Sequence, residues 1–229
     1  MGDRPDQVPQ EGRGNKPKED EEDLFSSLDR LNAFSDGVFA IAITLLVLDL
    51  PVPPANAPIV PARIDTWHGF LGYLISVAFI GSIWHNHSDL TKLMKRGDKL
   101  ASAMNLLVLT FVAVLPFSTS VMVTHLDASD IEVAVLLYGL NVLVASLMLS
   151  LLILYVSRQP ALLVDDIAGE RLRRLNRRRW FTTGVNVFAL AIALVVPLIA
   201  VALYLITTVV LLALPLVSLR RHWRRSRAA

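Results

Sequence analysis

The chain contains 229 residues, 54% of them hydrophobic and 18% charged, and carries a formal net charge of +2. Soluble domains contain about 25% charged residues, so the low charge content and the long apolar runs favour a protein that crosses a membrane several times. The absence of cysteine excludes disulfides, thiolate metal sites and cysteine nucleophiles.

Residues 1–23 differ in composition from the rest of the chain. They are polar, contain prolines and glycines, and end in an acidic cluster. Such a segment buries too little apolar area to offset its chain entropy. It also lacks the basic start and apolar core of a secretory signal. We therefore predict a disordered cytoplasmic tail over residues 1–23.

Six apolar segments approach the length of about 20 helical residues that a hydrocarbon core about 30 Å thick requires. They fall near 31–50, 67–87, 101–124, 131–156, 180–196 and 199–219. The last two adjoin, and as one helix they would measure roughly 60 Å, about twice what a bilayer holds. Pro197 lies near the middle and removes a helical donor, so we expect two helices. The predicted fold class is all-α, a polytopic membrane protein with a six-helix domain at 24–219 and a basic tail at 220–229.

The basic residues predict the orientation of these spans. The chain has 22 lysines and arginines, and all except Arg63 fall on one side of the six predicted spans. Because basic loops stay in the cytoplasm, both termini are predicted to be cytoplasmic. The arginines at 158–179 and 220–229 are expected to contact anionic lipid head groups rather than nucleic acid. Residues 158–179 are also predicted to form a short interfacial helix.

The first span, FSDGVFAIAITLLVLDL, has two different faces. On a helical wheel of about 100° per residue, Ile41, Leu45 and Leu48 fall within about 60° of one another. Thr44 lies beside this stripe, and Asp36 falls on roughly the opposite side. An aliphatic stripe of this kind usually faces lipid or core. If Asp36 points into the bundle, however, the stripe faces either lipid or an axis shared with other subunits.

A carboxylate inside a span is costly unless it faces protein or water, so Asp36 requires partners. The end of the second span reads SIWHNHSD and lies on the same side of the membrane. Its Trp84, His85 and His87 supply the donors that a buried carboxylate accepts from. Residues two apart on a helix diverge by about 200°, so we expect a hydrogen-bond network between the two spans rather than a metal site on the histidines.

The string R-L-N-A-F-S-D, Arg30 to Asp36, resembles the R-x-x-x-F-S-D signature of the transmembrane protein 175 family. The following GVFAIAITLLVLDL is similar to bacterial members, and the likeness extends more loosely to the Trp/His cluster of the second span. Spans three to six agree in number and topology. The resemblance implies a potassium-permeable channel of the bacterial plasma membrane. It further implies a homotetramer, with one first span from each subunit around the pore and membrane lipids around the assembly.

The resemblance also implies roles for individual residues. The family's pore constrictions are aliphatic rings on the first span, which correspond here to Ile41, Leu45 and Leu48. The threonine associated with cation selectivity corresponds to Thr44. The Phe-Ser-Asp residues brace helix packing, and we expect the bracing network to comprise Arg30, Phe34, Ser35, Asp36, Trp84, His85 and His87. No cofactor or resident metal is implied beyond the permeant potassium ion.

The sequence also bears on functions other than a channel. The sequence has no T-V-G-Y-G filter, which excludes selectivity through a ring of backbone carbonyls and favours a narrow apolar neck that gates by dewetting. A secondary transporter of a small cation or solute is the alternative, although no acidic residue lies at mid-membrane and no inverted repeat is evident. An enzyme is not expected, because no nucleophile motif or metal-ligand set accompanies the histidines. Proton permeation through the same pore stays open.

Overall fold

The computed structural model describes the backbone of residues 16–50 and 67–210, and the side chains from Leu28 onward except those of residues 166 and 178. The predicted C-terminal tail, residues 220–229, and the first 15 residues of the predicted N-terminal tail lie outside the described residues. The same holds for residues 211–219 of the sixth predicted span.

The described part of the chain is helical, with one isolated antiparallel bridge between Met94 and Leu163. A short 3-10 turn, Pro160–Leu162, follows the fourth helix. The helices are α1 (Lys16–Leu48), α2 (Trp67–Thr91), α3 (Lys99–Thr124), α4 (Ile131–Ser157), α5 (Asp166–Ala193) and α6 (Pro197–Val210). Four are long and apolar enough to cross a membrane: α2, α3, α4 and the Leu28–Leu48 part of α1. The predicted all-α class is therefore confirmed.

The break between α5 and α6 lies next to the proline that suggested it. Residues 194–196 form a turn, and Pro197 is the first residue of α6. Its missing N–H is not needed there, because the first helical position has no intrahelical acceptor to reach. Two helices therefore replace the single long one that the apolar stretch alone would suggest.

Two boundaries differ from the prediction. Helix α1 begins at Lys16 and so includes residues 16–23, which we expected to be disordered. The lysines and glutamates in that segment are good helix formers, and they continue the helix of the apolar span toward the N-terminus. Helix α5 runs without a break from Asp166 to Ala193, so the interfacial helix predicted at 158–179 is not separate. Asp165 caps its start, because its carboxylate accepts from the N–H of Ala168 at 2.6 Å.

Helix α4 lies at the centre of the protomer and packs most extensively against α3 and α5. Tyr138, Leu149 and Ile153 on α4 are completely buried. Helix α1 packs against α2 and α3 at the side of this core. The hydroxyl of Ser76 on α2 is hydrogen-bonded to those of Thr119 on α3 (2.7 Å) and Tyr138 on α4 (3.2 Å). These bonds join α2, α3 and α4 to one another.

Candidate functional site: the first helix and its contacts

Helix α1 has one face inside the protomer and one face outside it. Phe39 and Leu46 are each 2% exposed and belong to the hydrophobic core. The side chains of Ile41, Leu45 and Leu48 are 59%, 44% and 78% exposed. The aliphatic stripe seen on the helical wheel is therefore a free surface of the single protomer.

The first span is less enclosed than the other three candidate spans of the described residues. Its most apolar 18-residue window has 22% of residues buried, against 44% in α2, 44% in α3 and 56% in α4. An exposed apolar face on a helix at the edge of a bundle either faces lipid or packs against another copy of the protein.

Thr44 lies on the exposed face beside the stripe. Its hydroxyl donates to the carbonyl oxygen of Ile41, one turn back on the same helix, at 2.8 Å. A threonine hydroxyl has one proton to donate and two lone pairs. Because the proton is engaged by the helix itself, the hydroxyl oxygen presents its lone pairs to the surface.

Ser35, near the start of the first span, is completely buried and anchors a chain of hydrogen bonds across three helices. Its hydroxyl donates to the carbonyl oxygen of Leu31 (2.8 Å) and accepts from Nδ2 of Asn105 on α3 (3.0 Å). Oδ1 of Asn105 lies 2.7 Å from Nε2 of His87 on α2. Since the amide oxygen accepts, the imidazole donates through Nε2–H. We call this chain the Ser35–Asn105–His87 chain.

A second contact holds His87 against α1. The rings of Phe39 and His87 have centroids 5.6 Å apart and planes inclined by 59°. Tilted ring pairs at this distance are attractive because the edge of one ring meets the face of the other. His87 is therefore fixed by a hydrogen bond to α3 and by a ring contact to α1, and it is 3% exposed.

Asp36 does not occupy the buried position that we expected. Its side chain is exposed in the protomer, and Oδ1 accepts from the indole N–H of Trp84 at 2.9 Å. Trp84 is itself 43% exposed. Asp36 thus contacts Trp84, one of the partners expected on the second span, but the condition that it points into its own bundle is not met. Ser35, about 100° away on the helix, is the buried residue instead.

The remaining residues of the expected network lie apart from it. His85 is exposed, and its Nε2 lies 3.6 Å from a carboxylate oxygen of Asp89 on its own helix. Phe34 is 56% exposed. Arg30 is exposed and forms no hydrogen bond or ion pair with a described residue. Among the residues that the structure describes, no group of three or more metal-ligating side chains occurs.

Sequence reasoning missed Asn105, the link between Ser35 and His87. This residue is 2% exposed and lies in an otherwise apolar stretch of α3. A polar side chain inside a span is a signal, because it is expensive there without a partner. Its position one-quarter of the way along α3, close to the membrane edge shared with Ser35 and His87, was a second signal. Neither identifies its partners Ser35 and His87, which lie 70 and 18 residues away in the chain.

Residues 30–116 match the sequence profile of a family described as the endosomal/lysosomal potassium channel TMEM175. The chain is 41% identical over 111 residues to a potassium channel of Streptomyces collinus, covering 46% of this chain and 54% of that relative. It therefore spans about half the length of this relative. It is 30% identical over 174 residues to a potassium channel of Chamaesiphon minutus, covering 74% of this chain and 86% of the relative.

The fold also matches a solved structure. A crystal structure of a lysosomal potassium-selective channel TMEM175 homolog from Chamaesiphon minutus superposes with a TM-score of 0.74 at 26% sequence identity. The superposition covers 82% of this chain and 97% of that chain. The likeness therefore extends well beyond α1 to α3, over nearly the whole of the solved channel subunit.

Proposed function

The chain belongs to the TMEM175 family, and we propose that it is a potassium-permeable channel of the bacterial plasma membrane. The proposal is supported by relatives that are named potassium channels, one of which aligns over 86% of its length. Passive conduction, rather than an enzymatic reaction, is the activity we assign to it. The protein is a multi-pass membrane protein with at least four apolar helices of spanning length.

We propose that the subunit crosses the membrane six times with both termini in the cytoplasm. Helix α5 and the short apolar α6 supply the two spans beyond the four already named. Four subunits then place one copy of α1 each around a central axis. The observation that carries this arrangement is the division of α1 into a buried face and an exposed aliphatic face.

In this arrangement the pore is a hydrophobic neck. Rings of Ile41, Leu45 and Leu48 line it, because these side chains share the exposed face. A narrow apolar neck empties of water when it closes and conducts when helix movement widens it. Thr44 contributes a ring of hydroxyl oxygens whose lone pairs face away from its own helix, and this ring is the candidate for cation selectivity.

The Ser35–Asn105–His87 chain sets the rotation of α1 about its own axis. Side chains project from a helix in fixed directions, about 100° apart for successive residues. Rotation of α1 about its own axis would therefore turn Ile41 away from the central axis of the pore. Hydrogen bonds oppose such a rotation because they are directional, whereas apolar contacts are not. The bracing role thus belongs to Ser35 and His87 through Asn105, with the exposed Asp36–Trp84 pair beside it.

The test is potassium flux into liposomes that hold the purified protein, with wild type compared with Ile41→Asn. A polar ring wets the neck, and we expect flux to rise at least about tenfold, equivalent to about 1.4 kcal/mol in the barrier. We also expect weaker rejection of sodium. Leu140→Asn is the matched control, because Leu140 lies on α4 and is 53% exposed. It should leave flux unchanged.

Two outcomes contradict the proposal. If Ile41→Asn and Leu140→Asn alter flux to the same extent, the stripe on α1 faces lipid and does not form the neck. If uptake saturates with potassium and runs against a gradient, the protein is a secondary transporter rather than a channel.

A further inference from the structure

Two connections between helices are joined at one end of the bundle. The α2–α3 connection and the segment after α4 form the antiparallel bridge between Met94 and Leu163. The N–H of Lys95 donates to the carbonyl of Leu162 at 2.8 Å, and that of Val164 donates to the carbonyl of Leu93 at 3.2 Å. We call residues 93–96 and 161–164 the loop clip. It holds the ends of α2, α3 and α4 in a fixed arrangement.

Arg96 adds a side-chain bond to the loop clip. Its Nε–H donates to the carbonyl oxygen of Ala161 at 2.9 Å. A guanidinium has five N–H donors, and this bond uses one of them. The bond therefore fixes the position of the guanidinium while most of its donors remain for another acceptor.

A cleft of about 710 Å³ opens beside the loop clip. Arg96 and Lys99 line it with two positive charges, and the Ser102 hydroxyl and the Gln159 amide add neutral donors. Its volume lies within the range of small-molecule sites, which is about 300–1,000 Å³. The cleft is therefore large enough for a phosphate group with an organic substituent.

Asp98 also lines the cleft, and its charge must be considered. Its Oδ1 accepts from the N–H of Ala101 at 2.7 Å, and its Oδ2 accepts from the hydroxyl of Tyr155. Both carboxylate oxygens are thus already hydrogen-bonded to the protein. With Arg96 and Lys99 the lining keeps an excess of positive charge, which favours an anionic ligand.

The cleft lies where three helices end. Helix α2 ends at Thr91, α3 begins at Lys99 and α4 ends at Ser157. Helix α3 has 26 residues and is therefore about 39 Å long, about 9 Å more than a hydrocarbon core. Its ends consequently reach the depth of the lipid head groups. The phosphate of a membrane lipid is available at this depth without entering the apolar interior.

We propose that this cleft binds an anionic phosphate group, supplied by the head group of an acidic phospholipid on the side of the membrane where α3 begins. Arg96 and Lys99 pair with the phosphate oxygens, and Ser102 and Gln159 donate hydrogen bonds to the phosphate or to the head-group hydroxyls.

The experiment measures lipid binding to the full-length protein, independently of ion conduction. The protein is purified in neutral detergent and titrated with dioctanoyl phosphatidylglycerol, and bound lipid is counted by native mass spectrometry. We expect saturable binding to wild type. Lys99→Gln should weaken it about fivefold, the effect of about 1 kcal/mol for one surface cation near a phosphate. Lys99→Arg should retain binding.

Lys92→Gln is the matched control. Lys92 lies in the α2–α3 connection, which leads to Lys99, but it does not line the cleft. Its side chain is 69% exposed and pairs with Asp89. Its substitution should leave the affinity within twofold of wild type. Equal losses in Lys92→Gln and Lys99→Gln would overturn the proposal, because they would indicate general attraction to a basic loop. Absence of saturable binding to wild type would also overturn it.

Two further ligands identify what the cleft recognises. Dioctanoyl phosphatidylcholine carries the same chains and a phosphate neutralised by choline, and it should bind more weakly. If it binds as tightly as phosphatidylglycerol, the acyl chains carry the affinity and the proposal fails. If soluble glycerol 3-phosphate binds with the same dependence on Lys99, the phosphate site is supported and its ligand is a soluble phosphate rather than a lipid.

Discussion

Asn105 is the residue whose replacement should be most informative, because it alone joins Ser35 to His87. Asn105→Leu keeps a side chain of similar length but removes both the acceptor for His87 and the donor to Ser35. Ser35 still donates to the carbonyl of Leu31. His87, which is 3% exposed, loses the hydrogen-bond acceptor of its Nε2–H inside the protein.

The expected magnitude follows from these bonds. Leaving a buried donor without an acceptor costs about 1–3 kcal/mol, and the lost bond between Asn105 and Ser35 costs about 0.5–1.5 kcal/mol. A total of about 3 kcal/mol corresponds to a fall in melting temperature of about 6–12 °C for a protein of this size. The shift is measured by heating the protein in detergent and then determining by size-exclusion chromatography how much of it remains folded at each temperature.

Two variants make the Asn105 measurement specific. Thr110→Val removes a hydroxyl that donates within α3 to the carbonyl of Leu106, so it should change the melting temperature by less than about 2 °C. The double variant Asn105→Leu with His87→Phe leaves no unpaired imidazole and retains a ring beside Phe39. It should be more stable than Asn105→Leu alone. If Asn105→Leu is as stable as Thr110→Val, the proposed bracing by the Ser35–Asn105–His87 chain is refuted.

Three further substitutions test the packing of α4, α5 and α6 by the same thermal assay. In Gly139→Ala the added methyl would overlap the hydroxyl of Tyr204, so we expect a loss of about 1–3 kcal/mol, whereas Gly184→Ala meets no atom within 4 Å and should be neutral or stabilising. Arg179, only 8% exposed, donates to the Ser150 hydroxyl at 3.3 Å and to the carbonyl oxygen of Ser146 at 3.2 Å, and it has no ion-pair partner among the described residues. Arg179→Met should therefore be neutral or stabilising, because removing a buried charge saves its desolvation cost; a fall beyond about 4 °C would contradict this.

The sequence predicted most of the helical framework because the membrane constrains it strongly. A span must be helical and about 20 residues long, so apolar runs alone place helices at 67–87, 101–124 and 131–156, within a few residues of α2, α3 and α4. The start of α5 was not predicted, because the arginines of 158–179 suggested a separate interfacial helix. No proline interrupts residues 166–193, and the cap at Asp165 sets the true start.

The candidate site was predictable to the extent that it depends on one helix. The periodicity of α1 identified the stripe of Ile41, Leu45 and Leu48, which the structure leaves exposed. The contacts between helices were not predictable in the same way. Whether Ser35 or Asp36 is buried depends on a rotation of about 100°, and the hydrogen-bond partner of the buried Ser35 is Asn105 on another helix. The loop clip has no sequence signal, because backbone groups form its bridge.

The distribution of polar contacts bears on how the proposed neck would widen. Helices α2 and α3 are joined near one end through His87 and Asn105, and near the other end through Ser76 and Thr119. They therefore form a frame that is hydrogen-bonded at two depths. Helix α1 has hydrogen bonds to this frame at residues 35–36, and the described residues show none from its part beyond residue 36. That part, which carries the stripe, is held by apolar contacts, so its outward displacement would break no interhelical hydrogen bond of the described chain.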